Sequence, residues 1–312
     1  MSDFPSKKVT LGLIQMQMAD DPRKNLDHAV AMVRDAVKKG GQIICLSELY
    51  RSPYFPIQKK HDVGRYAETI PGESTKAFSE LAKELGTVII VPIFEKATDG
   101  KFYNSAVVID ETGKILPTYR KLHIPHDPGF YEKDYFEEGN NGYKIYKTKF
   151  ATFAVLICFD QWFPEAARMA RLAGAEMIFY PTAIGDWLGY VPPYNQNWHE
   201  AWATIQRGHS IANGIVVATV NRVGTEGQTK FWGQSFITDS FGTVIAQAGT
   251  SEEALVGMVD LAMNEFIFEN WRILQRRRPD TYKKLLDGTF VDKSTDLPDS
   301  MYLKSEKKLF ET

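Results

Sequence analysis

Short apolar runs alternate with longer amphipathic stretches along most of this chain, and that alternation restricts the fold more than any other feature of the sequence. Residues 9–16 and 43–46 are nearly unbroken apolar runs, short enough to read as buried strands. Between them, residues 22–39 set Leu26, Ala29, Val30, Val33 and Val37 at helical spacing, and Gly40-Gly41 ends the pattern. A second helix is predicted over 74–85, stopped by Gly86, and a third strand over 88–93. Strands that are apolar on both faces need helices to cover the sheet, so the rhythm predicts a layered α/β fold.

The second half of the chain repeats the order. A strand is predicted over 151–157, a helix over 163–173, a strand over 176–180, a helix over 196–212 and a strand over 215–220. Each half also carries a predicted hairpin. Residues 105–110 and 114–119 flank Glu111-Thr112-Gly113, and residues 235–238 and 244–247 flank Asp239-Ser240-Phe241-Gly242. The likeness lies in the order of elements, with no repeat of residues, and it hints at internal pseudo-symmetry. No linker rich in Pro, Gly or Ser divides the halves. Residues 1–287 therefore read as one domain, although the length of 312 would allow two. The polar segment 288–312 lacks periodicity and reads as a C-terminal arm that frays or enters subunit contacts.

Composition excludes several classes of function. Lys and Arg total 37 against 39 Asp and Glu, a balance that gives no support to a nucleic-acid binder acting by phosphate neutralisation. Arg276-Arg277-Arg278 stands alone as a basic cluster and reads as solvated or interfacial. No run approaches the roughly 20 apolar residues of a membrane span, and the polar start lacks a signal-peptide core. The expectation is a cytoplasmic protein with reduced thiols. Two cysteines, Cys45 and Cys158, are too few for a disulfide scaffold or a Cys-rich zinc domain. His123 and His126 form an H-x-x-H pair in a Pro-containing loop, but no third ligand accompanies them, so no metal is expected. Gly224-Thr225-Glu226-Gly227 matches neither a P-loop nor a dinucleotide fingerprint, so no nucleotide cofactor is expected either.

Three polar residues each stand where a predicted strand ends. Cys158 follows Ala154-Val155-Leu156-Ile157, and Pro164 suits the first turn of a helix just beyond it. A thiol between a strand and a helix N-terminus is expected to be held as thiolate by the helix dipole, against the alternative of a small buried thiol. Glu48 follows the run 43–46, and its ordinary alternative is a surface charge. Lys121 ends 115–119, where a solvated pair with Arg120 is the plain alternative. Together the three point at one edge of a sheet, where α/β proteins collect their active sites. Cys45 lies inside an apolar run and reads as core.

The segments Leu46-Ser47-Glu48-Leu49, Tyr119-Arg120-Lys121-Leu122-His123 and Leu156-Ile157-Cys158-Phe159-Asp160 resemble, in order and spacing, the Glu-Lys-Cys triad of the nitrilase superfamily of carbon–nitrogen hydrolases. The resemblance runs from about residue 9 to residue 273. Pro125-His126-Asp127-Pro128-Gly129-Phe130-Tyr131-Glu132-Lys133, the stretch from Cys158 to Glu165 and Tyr180-Pro181-Thr182-Ala183-Ile184-Gly185 are similar to the N-carbamoylputrescine amidohydrolase branch. The resemblance implies a four-layer αββα sandwich that assembles as homo-dimers or larger. It implies Cys158 as nucleophile, Glu48 as general base, and Lys121 with the backbone N–H of Phe159 as oxyanion donors. It implies Glu132 as a second glutamate that orients Lys121. The substrate would be a small ureido or amide compound. Relatives acting on N-carbamoyl amino acids place arginine soon after the cysteine, whereas this chain has Gln161 and Trp162. That suits a substrate with no carboxylate to clamp, such as one ending in an ammonium. Tyr54, Trp162 and Asp186 are candidates to hold that end, through an aromatic face or an acidic group. The loop 185–198, with Trp187, Tyr190, Tyr194 and Trp198, reads as a pocket wall or a subunit contact. Other amidases, nitrilases and a non-catalytic assembly protein are the competing readings.

Overall fold

The computed structural model describes residues 4–189, 196–283 and 285. In chain order the elements are β1 Lys8–Gln15, α1 Pro22–Lys38, β2 Ile43–Leu46, α2 Glu73–Leu85, β3 Val88–Lys96, β4 Phe102–Ile109, β5 Tyr119–Arg120, β6 His126–Asp127, β7 Phe130–Tyr131, β8 Ile145–Lys147, β9 Thr152–Val155, α3 Pro164–Leu172, β10 Met177–Pro181, β11 Gly185–Trp187, α4 Trp198–Asn213, β12 Val216–Val220, β13 Val223–Glu226, β14 Thr229–Trp232, β15 Phe236–Thr238, β16 Val244–Gln247, β17 Glu253–Asp260 and α5 Ala262–Asn270.

Two six-stranded sheets carry the fold, ordered β17-β1-β2-β3-β4-β5 and β8-β9-β10-β12-β15-β16. Followed in that direction, both sheets pair antiparallel, parallel, parallel, antiparallel, antiparallel. The pseudo-symmetry suggested by element order is therefore a property of the topology. The late hairpin forms as predicted, between β15 and β16. The early one forms only in part. Ile115 makes an isolated bridge to Ile109, and regular pairing with β4 returns only at Tyr119 and Arg120. Pro117, between them, has no N–H to give to a ladder. Strand β17 and helix α5 were not predicted. Gly257 in the middle of β17 and charges at both its ends weaken the strand pattern.

Alternation along β1 shows how the layers arise. Val9, Leu11 and Leu13 point into a core shared with Phe153 and Val155 of β9 and Met177 and Phe179 of β10, which glues the two sheets face to face. Ile14 faces the other way, with Ile44, Ile89 and Val91, and meets Leu26, Ala29, Val33 and Ala36 of α1 and Phe78 and Leu81 of α2. Ala166, Ala167 and Ala170 of α3 and Trp202 of α4 are buried on the outer side of the second sheet. The order of layers is αββα, as the resemblance implied. Gly12 permits a close approach of α1 to the sheet, because a Cβ there would come within 2.6 Å of the Ile44 Cδ1 atom and 3.2 Å of the Ala36 Cβ. Cys45 lies wholly buried between the sheets, as its place in an apolar run predicted.

Residues up to Arg272 form one compact unit, and a second begins at Ile273. The described part of the second unit holds a 3-10 turn at Pro279–Thr281, and the Arg278 guanidinium pairs with Asp280 at 2.5 Å. The arm expected at 288–312 lies outside the described residues. Among those residues no helix is long and apolar enough to cross a membrane.

Candidate active site

Each member of the predicted triad lies within three residues of the end of a strand. Glu48 comes two residues after β2, with its side chain fully buried. Lys121 continues β5 by one residue, its N–H donating to the Asn104 carbonyl at 2.9 Å, and its side chain is fully buried as well. Cys158 opens a 3-10 turn, Cys158–Trp162, after β9. Its φ of 43° lies in the left-handed region, as does the 48° of Leu49 beside Glu48. Backbone strain of this kind, costing about 1–3 kcal/mol per residue, persists where surrounding structure imposes it. Glu132 opens a second short turn, Glu132–Asp134, after β7.

These elements converge on one ammonium. The Lys121 Nζ donates to Glu48 Oε1 at 2.9 Å and to Glu132 Oε1 and Oε2 at 2.8 and 2.7 Å. Asn104 donates to the same Glu48 Oε1 at 2.7 Å, which leaves Glu48 Oε2 buried and without a hydrogen-bond partner. The Tyr54 hydroxyl donates to Glu132 Oε1 at 2.5 Å. The Cys158 Sγ lies 4.0 Å from the Ala183 carbonyl oxygen.

The electrostatics follow from burying two carboxylates around one cation. Burial alone would lower the Lys121 ammonium, but Glu132 and Glu48 outweigh it and hold the group above the ordinary lysine value, so it stays charged. Burial pushes the Glu132 carboxyl up to about 7, against the pull of Lys121 and with a further push from Glu48. The Cys158 thiol is driven well above its usual value by burial and then by Glu48, with Lys121 offsetting only part. This corrects the expectation of a resting thiolate. Helix α3 does start at Pro164, as predicted, but the five-residue 3-10 turn stands between it and the thiol, so the helix end is not at the sulfur. Burial and Glu48 thus favour the protonated thiol, while Glu48 keeps one buried oxygen without a hydrogen-bond partner.

Asp160 ties the cysteine turn to the lysine segment. It accepts from the Tyr119 hydroxyl at 2.7 Å, from the backbone N–H groups of Ile157 and His123 at 2.9 and 3.1 Å, and lies 2.7 Å from the His123 ring Nδ1. His123 in turn stacks on Phe163 at 3.7 Å between centroids. One member of the H-x-x-H pair is thus part of this scaffold, and among the described residues no group of three or more His, Cys, Asp or Glu side chains could hold a metal ion. Neither Asn104 nor Asp160 was singled out from the sequence. Asn104 does leave a signal, a polar residue inside the buried strand β4.

The remaining predicted residues fall in different places. Tyr54 joins the four through Glu132, and its hydroxyl is raised by burial and by Glu132 and Glu48, so it remains a donor. Phe159 follows Cys158 in the same turn. Trp162 packs against the cluster of Trp202, Trp232 and Phe236. Gln161 is fully buried, its Oε1 accepting from Trp202 Nε1 at 3.0 Å and from the Thr182 hydroxyl at 3.2 Å. Asp186 is exposed on β11 opposite Lys230 and takes no part in the hydrogen bonds that join the other residues. Gly129, at φ 82°, lies under the Trp187 ring, where a Cβ would come within 3.1 Å of it. Residues 190–195 of the aromatic loop, including Tyr190 and Tyr194, lie outside the described residues.

The family model described as carbon-nitrogen hydrolase matches residues 10–266. An N-carbamoylputrescine amidase of Arabidopsis thaliana is 40% identical over 292 residues, covering 90% of this chain and 96% of that one. A citrullinase of Francisella tularensis is 36% identical over 285 residues, covering 89% of this chain and 98% of the relative. Among solved structures, a carbon–nitrogen hydrolase from Helicobacter pylori G27 superposes with a TM-score of 0.84 at 37% identity, covering 89% of this chain and 98% of that chain.

Proposed function

This chain belongs to the carbon–nitrogen hydrolase family and is a hydrolase of carbon–nitrogen bonds, and we propose that it cleaves the ureido bond of N-carbamoylputrescine, giving putrescine, carbon dioxide and ammonia. The observation that carries the chemistry is the Glu48 carboxylate, with one oxygen tied by Lys121 and Asn104 and the other unpartnered. Such an oxygen is free to take the proton of a thiol that burial keeps neutral. The relatives named N-carbamoylputrescine amidase, in four plants, support the substrate.

In this reading Glu48 accepts the Cys158 proton as the sulfur attacks the ureido carbon. The carbonyl oxygen takes up the negative charge, met by the Lys121 ammonium and the Phe159 N–H. Collapse breaks the bond to the terminal nitrogen, which leaves as ammonia with the proton from Glu48. A carbamoyl thioester then stands on Cys158. Glu48 next deprotonates water, which attacks the thioester and restores the thiol. The carbamate released loses carbon dioxide and leaves the free amine. Tyr54 and Glu132 hold Lys121 in place throughout.

Ammonia release from N-carbamoylputrescine, citrulline, N-carbamoyl-β-alanine and simple amides tests the assignment, together with the intact mass of briefly exposed protein. Fastest turnover of the first, with a carbamoyl adduct on Cys158, is expected. Turnover of citrulline alone would replace the substrate and keep the mechanism. We further propose a cytoplasmic homo-oligomer, supported by two free thiols and by the exposed Met169 and Leu172 on α3 and Ile211 on α4. A purely monomeric light-scattering mass for the same preparation would reject the assembly.

The pH dependence follows from Glu132. Its carboxylate receives Lys121 on both oxygens, and protonation takes one acceptor away. Because that carboxyl is pushed up to about 7, kcat/KM is expected to fall as the pH drops through that value. The stability term runs the other way. A carboxyl raised above its unfolded value contributes stability below that unfolded value, and loses it as the pH rises through about 7. Rate profiles between about pH 5.5 and about pH 9 check this. Glu132→Gln should lack the acid limb, and an unchanged limb in that variant would remove Glu132 as its source.

A further inference from the structure

We infer that Arg222 is a positioning residue for the general base, a clamp from the second half of the chain that fixes the turn carrying Glu48 and Tyr54. The inference rests on the reading of Glu48 as base. Arg222 stands two residues beyond β12, and its side chain is fully buried. One terminal nitrogen, Nη2, donates to the carbonyls of Glu48 and Leu49 at 2.6 and 3.1 Å. The other, Nη1, donates to the Ser52 carbonyl at 3.2 Å and to Glu226 Oε1 at 2.9 Å. The second Glu226 oxygen accepts the backbone N–H of Tyr54. The guanidinium also lies 5.8 Å from the centre of the Tyr54 ring.

One planar fork therefore gathers three carbonyls from a five-residue stretch and, through Glu226, the residue that supports Glu132. Leu49 within that stretch has φ 48°, so its peptide groups are held in a conformation the backbone would not choose by itself. Lysine cannot replace the fork, since a point ammonium lacks the fixed, divergent donors of a guanidinium. No wire of charge is needed. Arg222 acts by holding the base's main chain, so its loss lets the Glu48 carboxylate shift from the place its turn gives it. Both steps that use Glu48, thiol deprotonation and water activation, then slow together. The Arg222 backbone is itself anchored, its N–H donating to Asn221 Oδ1 at 2.9 Å, while Asn221 Nδ2 donates to the Ile184 carbonyl at 2.9 Å. The clamp is thus rooted next to Ala183, whose carbonyl faces Cys158.

The test compares Arg222→Lys and Arg222→Ala with the parent, with kcat expressed per Cys158 thiol titrated. Misplacement of a catalytic group by about 1 Å costs on the order of 100-fold, so a kcat loss of about that size with KM little changed is expected in both. Methylguanidine, but not methylammonium, should restore Arg222→Ala by about tenfold or more, a response that mere destabilisation would not give. Parent kcat in either variant, or a loss that methylguanidine leaves untouched, overturns the clamp. If Arg222→Ala does not fold, Glu226→Gln serves: it keeps the guanidinium and loosens its anchor, and parent kcat there overturns the clamp equally. Glu48→Gln separates the two readings. Full activity in Glu48→Gln refutes the base itself, whereas an inactive Glu48→Gln beside a fully active Arg222→Lys refutes only Arg222.

Discussion

Cys158→Ala protein is expected to fold normally and to lose at least about 10⁴-fold in kcat, because removal of the nucleophile of a covalent mechanism leaves only binding and the oxyanion donors. The fold should tolerate the change. Alanine at φ 43° is no more strained than cysteine, and only one sulfur atom leaves the core. The matched control is Cys45→Ala. That thiol is raised by burial alone, with no charged neighbour, and lies between the sheets. Its removal should cost about 1 kcal/mol of stability and leave kcat unchanged. Ammonia release and thermal unfolding of the two purified variants give four numbers that assign the thiols. Full hydrolysis by Cys158→Ala would end the covalent mechanism outright.

The second large effect is expected from Lys121→Met, on rate and stability together. Loss of one preorganised oxyanion donor costs roughly 10²–10³ in kcat. The variant also leaves Glu48 and Glu132, both fully buried, facing each other with no cation between them. Breaking a buried ion pair on one side costs about 3–5 kcal/mol near neutral pH, since a carboxylate must then be buried unpaired or take up a proton. Proton uptake is the easier course. Lys121 is what holds the Glu132 carboxyl down against burial and Glu48, and without it that carboxyl rises further. A carboxyl raised in the folded state loses its stabilising contribution as the pH climbs through its folded value. The deficit of Lys121→Met against the parent should therefore shrink in acid and widen toward neutrality, as read by denaturant melts across that range. A deficit independent of pH would mean that the two carboxylates are not the source.

How far the site could be read from the sequence differs from residue to residue. Glu48, Lys121 and Cys158 each sit within three residues of the end of a strand, and strand ends show as breaks in apolar runs. Arg222, two residues past β12, obeys the same rule and went unnoticed, because nothing in the chain around it says that its side chain turns inward. Asp160 stood inside a quoted motif, but its four partners come from residues 119, 123 and 157, and only folding brings the first two to it. Gln161 illustrates the converse. Its position after the cysteine marks a place where an arginine clamp is missing, and the structure gives its amide oxygen to Trp202 and Thr182. A residue number fixes where a side chain starts, and packing decides which way it points.

The order of most elements and the candidate reacting groups are legible in the sequence alone, because apolar periodicity is local and strand ends are visible in it. The tertiary structure decided the state of those groups. The helix N-terminus expected to favour a thiolate lies beyond a 3-10 turn, and the thiol is instead pushed up by burial and by Glu48. Lys121 stays charged only because two carboxylates, 73 and 11 residues away in sequence, close around it where all three side chains are fully buried. Coulomb energy at such a buried site depends on separations of a few ångströms and on burial from water. Neither quantity exists until the two halves of the chain have packed together.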